Sequence, residues 1–81
     1  MTISIEFFGR QRAITKIAAI DMPVAGNTSV NDALEYVRQM YPELDLAEGM
    51  IQATVNHKIA SLDRVLKTND TVSFLPFISG G

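Results

Sequence analysis

The sequence closes on two glycines, Gly80 and Gly81, directly after Leu75-Pro76-Phe77-Ile78 and Ser79. Glycine has no Cβ, so a Gly-Gly end is the thinnest tail a chain can present, able to thread a narrow slot and place its α-carboxylate there. The reactive group would be a carboxylate with no side chain beside it. The default for such an end is an inert frayed tail. Leu75, Phe77 and Ile78 are too apolar for that default, and Pro76 cannot donate to a sheet ladder, so the chain is expected to leave its sheet there. An apolar approach to a bare carboxylate indicates docking.

Other groups that could do chemistry carry less. His57, Ser61 and Asp63 are the residue types of a nucleophile-base-orienter chain, but neighbours in one turn seldom point at one another as that chemistry needs. Glu43, Asp45 and Glu48 alternate with leucines as in a solvated turn of helix rather than as paired acid-base carboxylates. Arg10, Arg12 and Lys16 form a small basic group whose default is a solvated loop and whose sharper reading is contact with an acidic partner. The absence of cysteine excludes disulfides, thiolate metal sites and a cysteine nucleophile, so any sulfur chemistry must use imported sulfur. No metal site and no bound cofactor are expected. The net charge of -2 supplies no basic field for nucleic acid. There is no apolar run of membrane-spanning length and no basic-then-apolar start, so the expectation is a cytoplasmic protein that contacts neither nucleic acid nor membrane.

The elements that must position the tail can be read in order. At 81 residues, 47% of them apolar, the chain is expected to make one domain over 1–81 with a flexible tail at 77–81. Residues 2–8 alternate, with Ile3, Ile5 and Phe7 on one face and Phe8 on the polar face, as in a half-buried strand. Residues 9–13 break the alternation as a connection or short helical turn. A second strand is expected over 16–24, with Ile20, Met22 and Val24 on one face. Ser29 and Asp32 form a helix cap, followed by a stripe of Val30, Ala33, Leu34, Val37 and Tyr41 that Pro42 terminates. Met40 and Tyr41 belong to the core or its rim.

Ile51, Ala53 and Val55 read as a third strand, Asn56-His57 as a hairpin turn and Lys58-Ile59-Ala60 as a short fourth strand. Leu62, Val65 and Leu66 are expected to pack a loop onto the core. Lys67-Thr68-Asn69-Asp70 is a turn, and 71–76 form the last strand, with Val72 and Phe74 inward and Leu75 and Phe77 outward. A hairpin, a crossing helix and further strands make an α+β, β-grasp (ubiquitin-like) roll, its mixed sheet covered on one face by one main helix. In that arrangement the last strand lies centrally beside the first, so its tail projects from a rigid platform.

At this level of detail the sequence resembles the ubiquitin-like sulfur carriers of the MoaD/ThiS family, most closely the MoaD branch. The resemblance spans the chain and rests on Phe7-Phe8-Gly9 with Arg12, Val55-Asn56, Leu62-Asp63-Arg64-Val65-Leu66, Asn69-Asp70-Thr71-Val72, Phe74-Leu75-Pro76-Phe77 and the terminal Gly80-Gly81. It departs at Ala13, Asn69 and Phe77, where an acid, a glycine and a second proline are more usual. In that family an ATP-dependent activating enzyme of the MoeB/ThiF kind adenylates the terminal carboxylate, and sulfur transfer converts the acyl-adenylate to a thiocarboxylate. The resemblance implies that Gly81 carries this group, with Gly80 before it. ATP is then the activating enzyme's substrate, and the thiocarboxylate a covalent modification of the carrier.

In the MoaD branch two carriers supply the dithiolene sulfurs to precursor Z within a heterotetramer with a MoaE-like large subunit, which holds the catalytic side chains. The resemblance therefore makes this chain a sulfur-donating subunit of molybdopterin synthase, with Phe8, Leu75, Phe77, Ile78 and Ser79 as its docking surface and Arg10 and Arg12 as polar contacts. Three alternatives stay open: a ThiS-type carrier for thiamine thiazole or another sulfur pathway, a ubiquitin-like protein modifier joined to lysines, and a β-grasp interaction module without chemistry.

Overall fold

The computed structural model describes residues 1–44, 46 and 51–76, so the expectations placed on Asp45, Glu48 and residues 77–81 lie outside the described residues. The elements in chain order are β1 (Thr2–Glu6), α1 (Gly9–Thr15), β2 (Ala19–Pro23), α2 (Val30–Met40), β3 (Ile51–Val55), β4 (Lys58–Ile59) and β5 (Thr71–Pro76). The strands form one five-stranded mixed sheet in the order β2-β1-β5-β3-β4. β5 runs parallel to β1 and antiparallel to β3, so the last strand is central, as the β-grasp expectation requires.

Alternation in β1 sends Ile3, Ile5 and Phe7 to one face, where they meet Val72 and Phe74 of β5, Ala53 and Val55 of β3, and the stripe Val30, Ala33, Leu34 and Val37 of α2. Eight of these side chains, Phe74, Ile3, Ile5, Leu34, Val30, Val37, Val55 and Val72, are fully buried. At about 1.5–3 kcal/mol for each apolar side chain removed from water, they form the main stabilising mass of the fold. α2 begins with a complete capping box: the Asp32 amide donates to Ser29 Oγ, 3.3 Å, and the Ser29 amide donates to Asp32 Oδ2, 2.9 Å. It ends at Tyr41, just before Pro42, and the Tyr41 ring packs edge-on to Phe7 with centroids 5.6 Å apart.

Three elements differ from the sequence expectation. The second strand begins at Ala19 rather than 16, because residues 9–15 form a helix that Lys16 closes in the left-handed region at φ 64. Val65 is 49% exposed; it forms an isolated bridge with Ser29, while Leu66 carries the burial expected of that loop. Leu44 and Leu46 are 6% and 5% exposed core residues rather than parts of a solvated turn. Among the described residues no helix is long and apolar enough to cross a membrane.

Candidate functional site at the end of the last strand

β5 ends at the same end of the sheet as β1, because the two strands are parallel, and α1 begins there too. Phe8 occupies the cap of α1 in extended conformation, φ -125 and ψ 153. Strand parity therefore carries its ring to the face opposite Phe7, where it is 46% exposed. Gly9 follows at φ 53, a left-handed conformation that a β-carbon would strain, and this turns the chain out of the strand and into α1. The Phe7 amide then donates to Ala18 O, 2.9 Å, so α1 is a helical insertion in the β1–β2 hairpin.

A cavity of about 480 Å³ opens between α1, the segment after α2 and the end of β5, with Phe8, Ile14, Leu44, Leu46, Leu75 and Pro76 among its walls. Its lining is largely apolar, with Arg10 and Glu43 adding opposite charges. Leu75 is half-buried in this wall rather than simply outward-facing. The cavity volume lies within the range of ligand-binding clefts.

Of the residues singled out from the sequence, the fold brings Phe8, Arg10 and Leu75 together around this cavity. Arg12 is exposed on α1 but is not part of the lining; its carbonyl accepts the Lys16 amide at 2.8 Å and closes the helix. Phe77, Ile78, Ser79, Gly80 and Gly81 lie outside the described residues. His57 stands with Asn56 at a two-residue turn, φ 53 and 68, at the opposite end of the sheet, and Ser61 donates to Asp63 within its own exposed turn.

Sequence reasoning did not find Gln11, Ile14, Leu44, Leu46 and Ile51 as part of this surface. Ile14, three residues after Gln11, was missed because the turn was read only over 9–13 and not as the helix Gly9–Thr15; the others face the cavity through tertiary packing.

The leucine segment is held by Arg38 of α2. Arg38 Nε donates to the Leu46 carbonyl at 3.0 Å, Nη2 donates to the same oxygen, and Nη1 donates to Glu35 at 2.6 Å. One guanidinium thereby fixes the cavity wall to the main helix.

The ThiS family profile matches residues 5–81. The chain belongs to the ThiS family. Membership makes it a ubiquitin-like sulfur carrier of the MoaD and ThiS type. It is 31% identical over 98% of its length to a molybdopterin synthase sulfur carrier subunit of Mycobacterium tuberculosis, covering 96% of that protein. In three dimensions it is similar to SAMP1 of Haloferax volcanii, with a TM-score of 0.82 at 20% identity, each chain covered in full. It is also similar, with a TM-score of 0.66 at 26% identity and full coverage of both chains, to a chain in the complex of subunits 1 and 2 of the molybdopterin-converting factor of Helicobacter pylori. The SAMP1 likeness confirms the β-grasp fold of this ThiS-family chain.

Proposed function

We propose that this chain is the sulfur-carrying small subunit of a molybdopterin synthase. The observation that carries the reading is the match to the Mycobacterium tuberculosis molybdopterin synthase sulfur carrier subunit along nearly the whole of both chains. The terminal Gly80-Gly81 and the apolar cavity where β5 ends support it.

In this reading the Gly81 carboxylate attacks the α-phosphate of ATP held by an activating enzyme, releasing pyrophosphate and forming an acyl-adenylate. Hydroxide is a poor leaving group and adenylate a good one, so activation makes the acyl carbon open to attack by a sulfur nucleophile. A C–S bond forms, AMP departs and the chain ends in a thiocarboxylate. That sulfur is then the nucleophile toward precursor Z in the large subunit, which supplies the catalytic side chains. The complex of subunits 1 and 2 seen for the Helicobacter pylori converting factor supports a large-subunit partner, and a heterotetramer working in the cytoplasm follows from the same reading.

The same tail must enter two different active sites in turn, so every side chain near its end is a steric cost. Intact-mass spectrometry after incubation with ATP, a sulfur donor and the host's activating enzyme tests the reading. The expected result is a gain equal to the mass difference between sulfur and oxygen, lost again on addition of precursor Z and the large subunit. Gly81→Ala is expected to slow adenylation by about 100-fold with an unchanged melting temperature, the scale set by misplacing a reacting group by about 1 Å. A mass gain discharged only by thiazole precursors would move the chain to thiamine synthesis. Covalent adducts on lysines of other proteins without sulfur gain would make it a modifier.

A further inference from the structure

The ladder between β1 and β5 stops before β5 does. The Ser4 amide donates to the Asp70 carbonyl at 2.9 Å, and the register pairs Ser4, Ile5 and Glu6 with Thr71, Val72 and Ser73. Donors of a parallel strand recur every second residue, so continuing this register would bring Glu6 to Val72 and then Phe8 to Phe74. Phe8 is instead the cap of α1, and Gly9 turns the chain away. β5 nevertheless continues to Pro76.

On its β3 side this extension is held by the pairs Ala53–Phe74, Gln52–Leu75 and Ile51–Pro76. On the β1 side the Phe74 carbonyl accepts from the side-chain amide of Gln11, which projects from α1 and takes the place of the missing rung. Pro76 has no amide hydrogen to add. Among the described residues Gln11 is the final hydrogen-bonding side chain on that flank before the chain leaves toward Phe77.

We propose that Gln11 is a positioning residue for the carboxy-terminal tail: its carboxamide stands in for the lost rung and sets the direction in which the chain departs from β5. The functional consequence rests on the reading that Gly81 is the reacting end. Seven residues follow Phe74, with a reach of at most about 23 Å. A swing of about 10° at Phe74 moves Pro76, two residues on, by about 1 Å, comparable to the tolerance of about 1 Å at a reacting carbon. The hydrogen bond is a single rung among those that hold β5, so its loss weighs little on the fold and heavily on the search the tail must make. A donor is required: Gln11→Glu sets an anion against a carbonyl, Gln11→Met keeps the length without a donor, and Gln11→Lys restores a donor of similar reach.

The test has two arms on the full chain. In the first, backbone 15N relaxation is recorded at Leu75, Phe77 and Ile78. The heteronuclear NOE at these residues is expected to fall in Gln11→Met and Gln11→Glu and to return in Gln11→Lys, with the β1 and β3 amides unchanged. In the second, steady-state adenylation by the activating enzyme is expected to show a kcat about tenfold lower in the Met and Glu variants at a KM within about twofold of wild type, recovered by Lys. Wild-type relaxation at Leu75, Phe77 and Ile78 in both the Met and Glu variants overturns the proposal. A KM increase at constant kcat overturns it too, since that would make Gln11 a docking contact. If the wild-type chain is not adenylated at all, the sulfur-carrier reading fails, and the relaxation arm still decides the role of Gln11.

Discussion

Asp70 shows how one side chain can join three segments. It is only 8% exposed. Its carboxylate accepts the Lys67 amide at 2.8 Å and Asn56 Nδ2 at 2.9 Å, while Asn56 Oδ1 accepts the Thr71 amide at 3.0 Å. The Asn69 amide, in a residue held at φ 73, donates to the Thr2 carbonyl at 2.9 Å, so the same turn also grips the start of β1. The Lys67 amide leads in holding the Asp70 carboxyl below its ordinary value near 3.8, with the Asn56 amide and the charges of Arg64 and Lys67 acting in the same direction against the cost of burial. A carboxyl whose folded pKa is depressed contributes stability that is fully present above the unfolded value of about 3.9 and is lost as pH falls through the folded value. Asp70→Ala is therefore expected to cost about 1–3 kcal/mol at neutral pH, with the gap to wild type closing as pH drops below about 4. Urea unfolding from pH 7 down to pH 2.5 measures this, and a gap that stays constant over that range would show that the Asp70 charge contributes nothing to the turn.

At the scale of elements, the telling contact is between α2 and the segment that follows it. Arg38 donates from Nε and Nη2 to the Leu46 carbonyl and from Nη1 to Glu35, tying the buried leucines to the helix. Arg38→Met keeps the aliphatic stem and removes all three donors. It is expected to lower stability by about 1–3 kcal/mol, a fall of about 4–8 °C in melting temperature per kcal/mol, and to accelerate amide exchange at Leu44 and Leu46 before that of α2. Equal acceleration across α2 would instead mean that the helix, and not the loop, depends on Arg38.

The same elements show what the sequence could reveal. α2 was legible because its cap, its apolar stripe and Pro42 all gave the same bounds, and β5 because alternation and a terminal proline bracket it. The burial of Leu44 and Leu46 was not legible because alternating acids and leucines suit a solvated turn as well as a buried one, and the deciding partner, Arg38, lies eight residues upstream of Leu46 on a different element. Phe8 and Leu75 were legible by strand parity as residues off the core face, and both line the cavity. Gln11 was not, because its hydrogen bond reaches across 63 residues of sequence to a backbone carbonyl, and no local pattern records such a partner.

The whole molecule has two unlike ends. One carries the cavity, Arg10 and the exit toward Phe77; the other carries the Asn56-His57 turn, with exposed Lys58, Arg64 and Lys67 nearby. The six residues of β5 separate them by about 17 Å, roughly twice the screening length at physiological salt. A partner that captures the tail therefore feels Arg10 strongly and the basal cations weakly. Charge at the rim of an interface acts mainly on the rate of encounter, whereas the apolar residues within it set how long the complex lasts.

On the proposed function, Arg10→Glu is accordingly expected to lower the association rate with the activating enzyme by several-fold at low salt, the difference fading as ionic strength rises. Leu75→Asp is expected to raise the dissociation rate by about 30-fold, a loss of about 2 kcal/mol, at any salt. The triple reversal Lys58→Glu, Arg64→Glu and Lys67→Glu is expected to leave the dissociation rate unchanged, and at physiological salt the association rate too, while removing part of the support for the Asp70 carboxylate. Stopped-flow or surface-based kinetics across a salt series separates the three. A triple reversal that slows association as much as Arg10→Glu at physiological salt would place the docking face at the basal end, and the cavity beside the tail would then have to serve something other than partner capture.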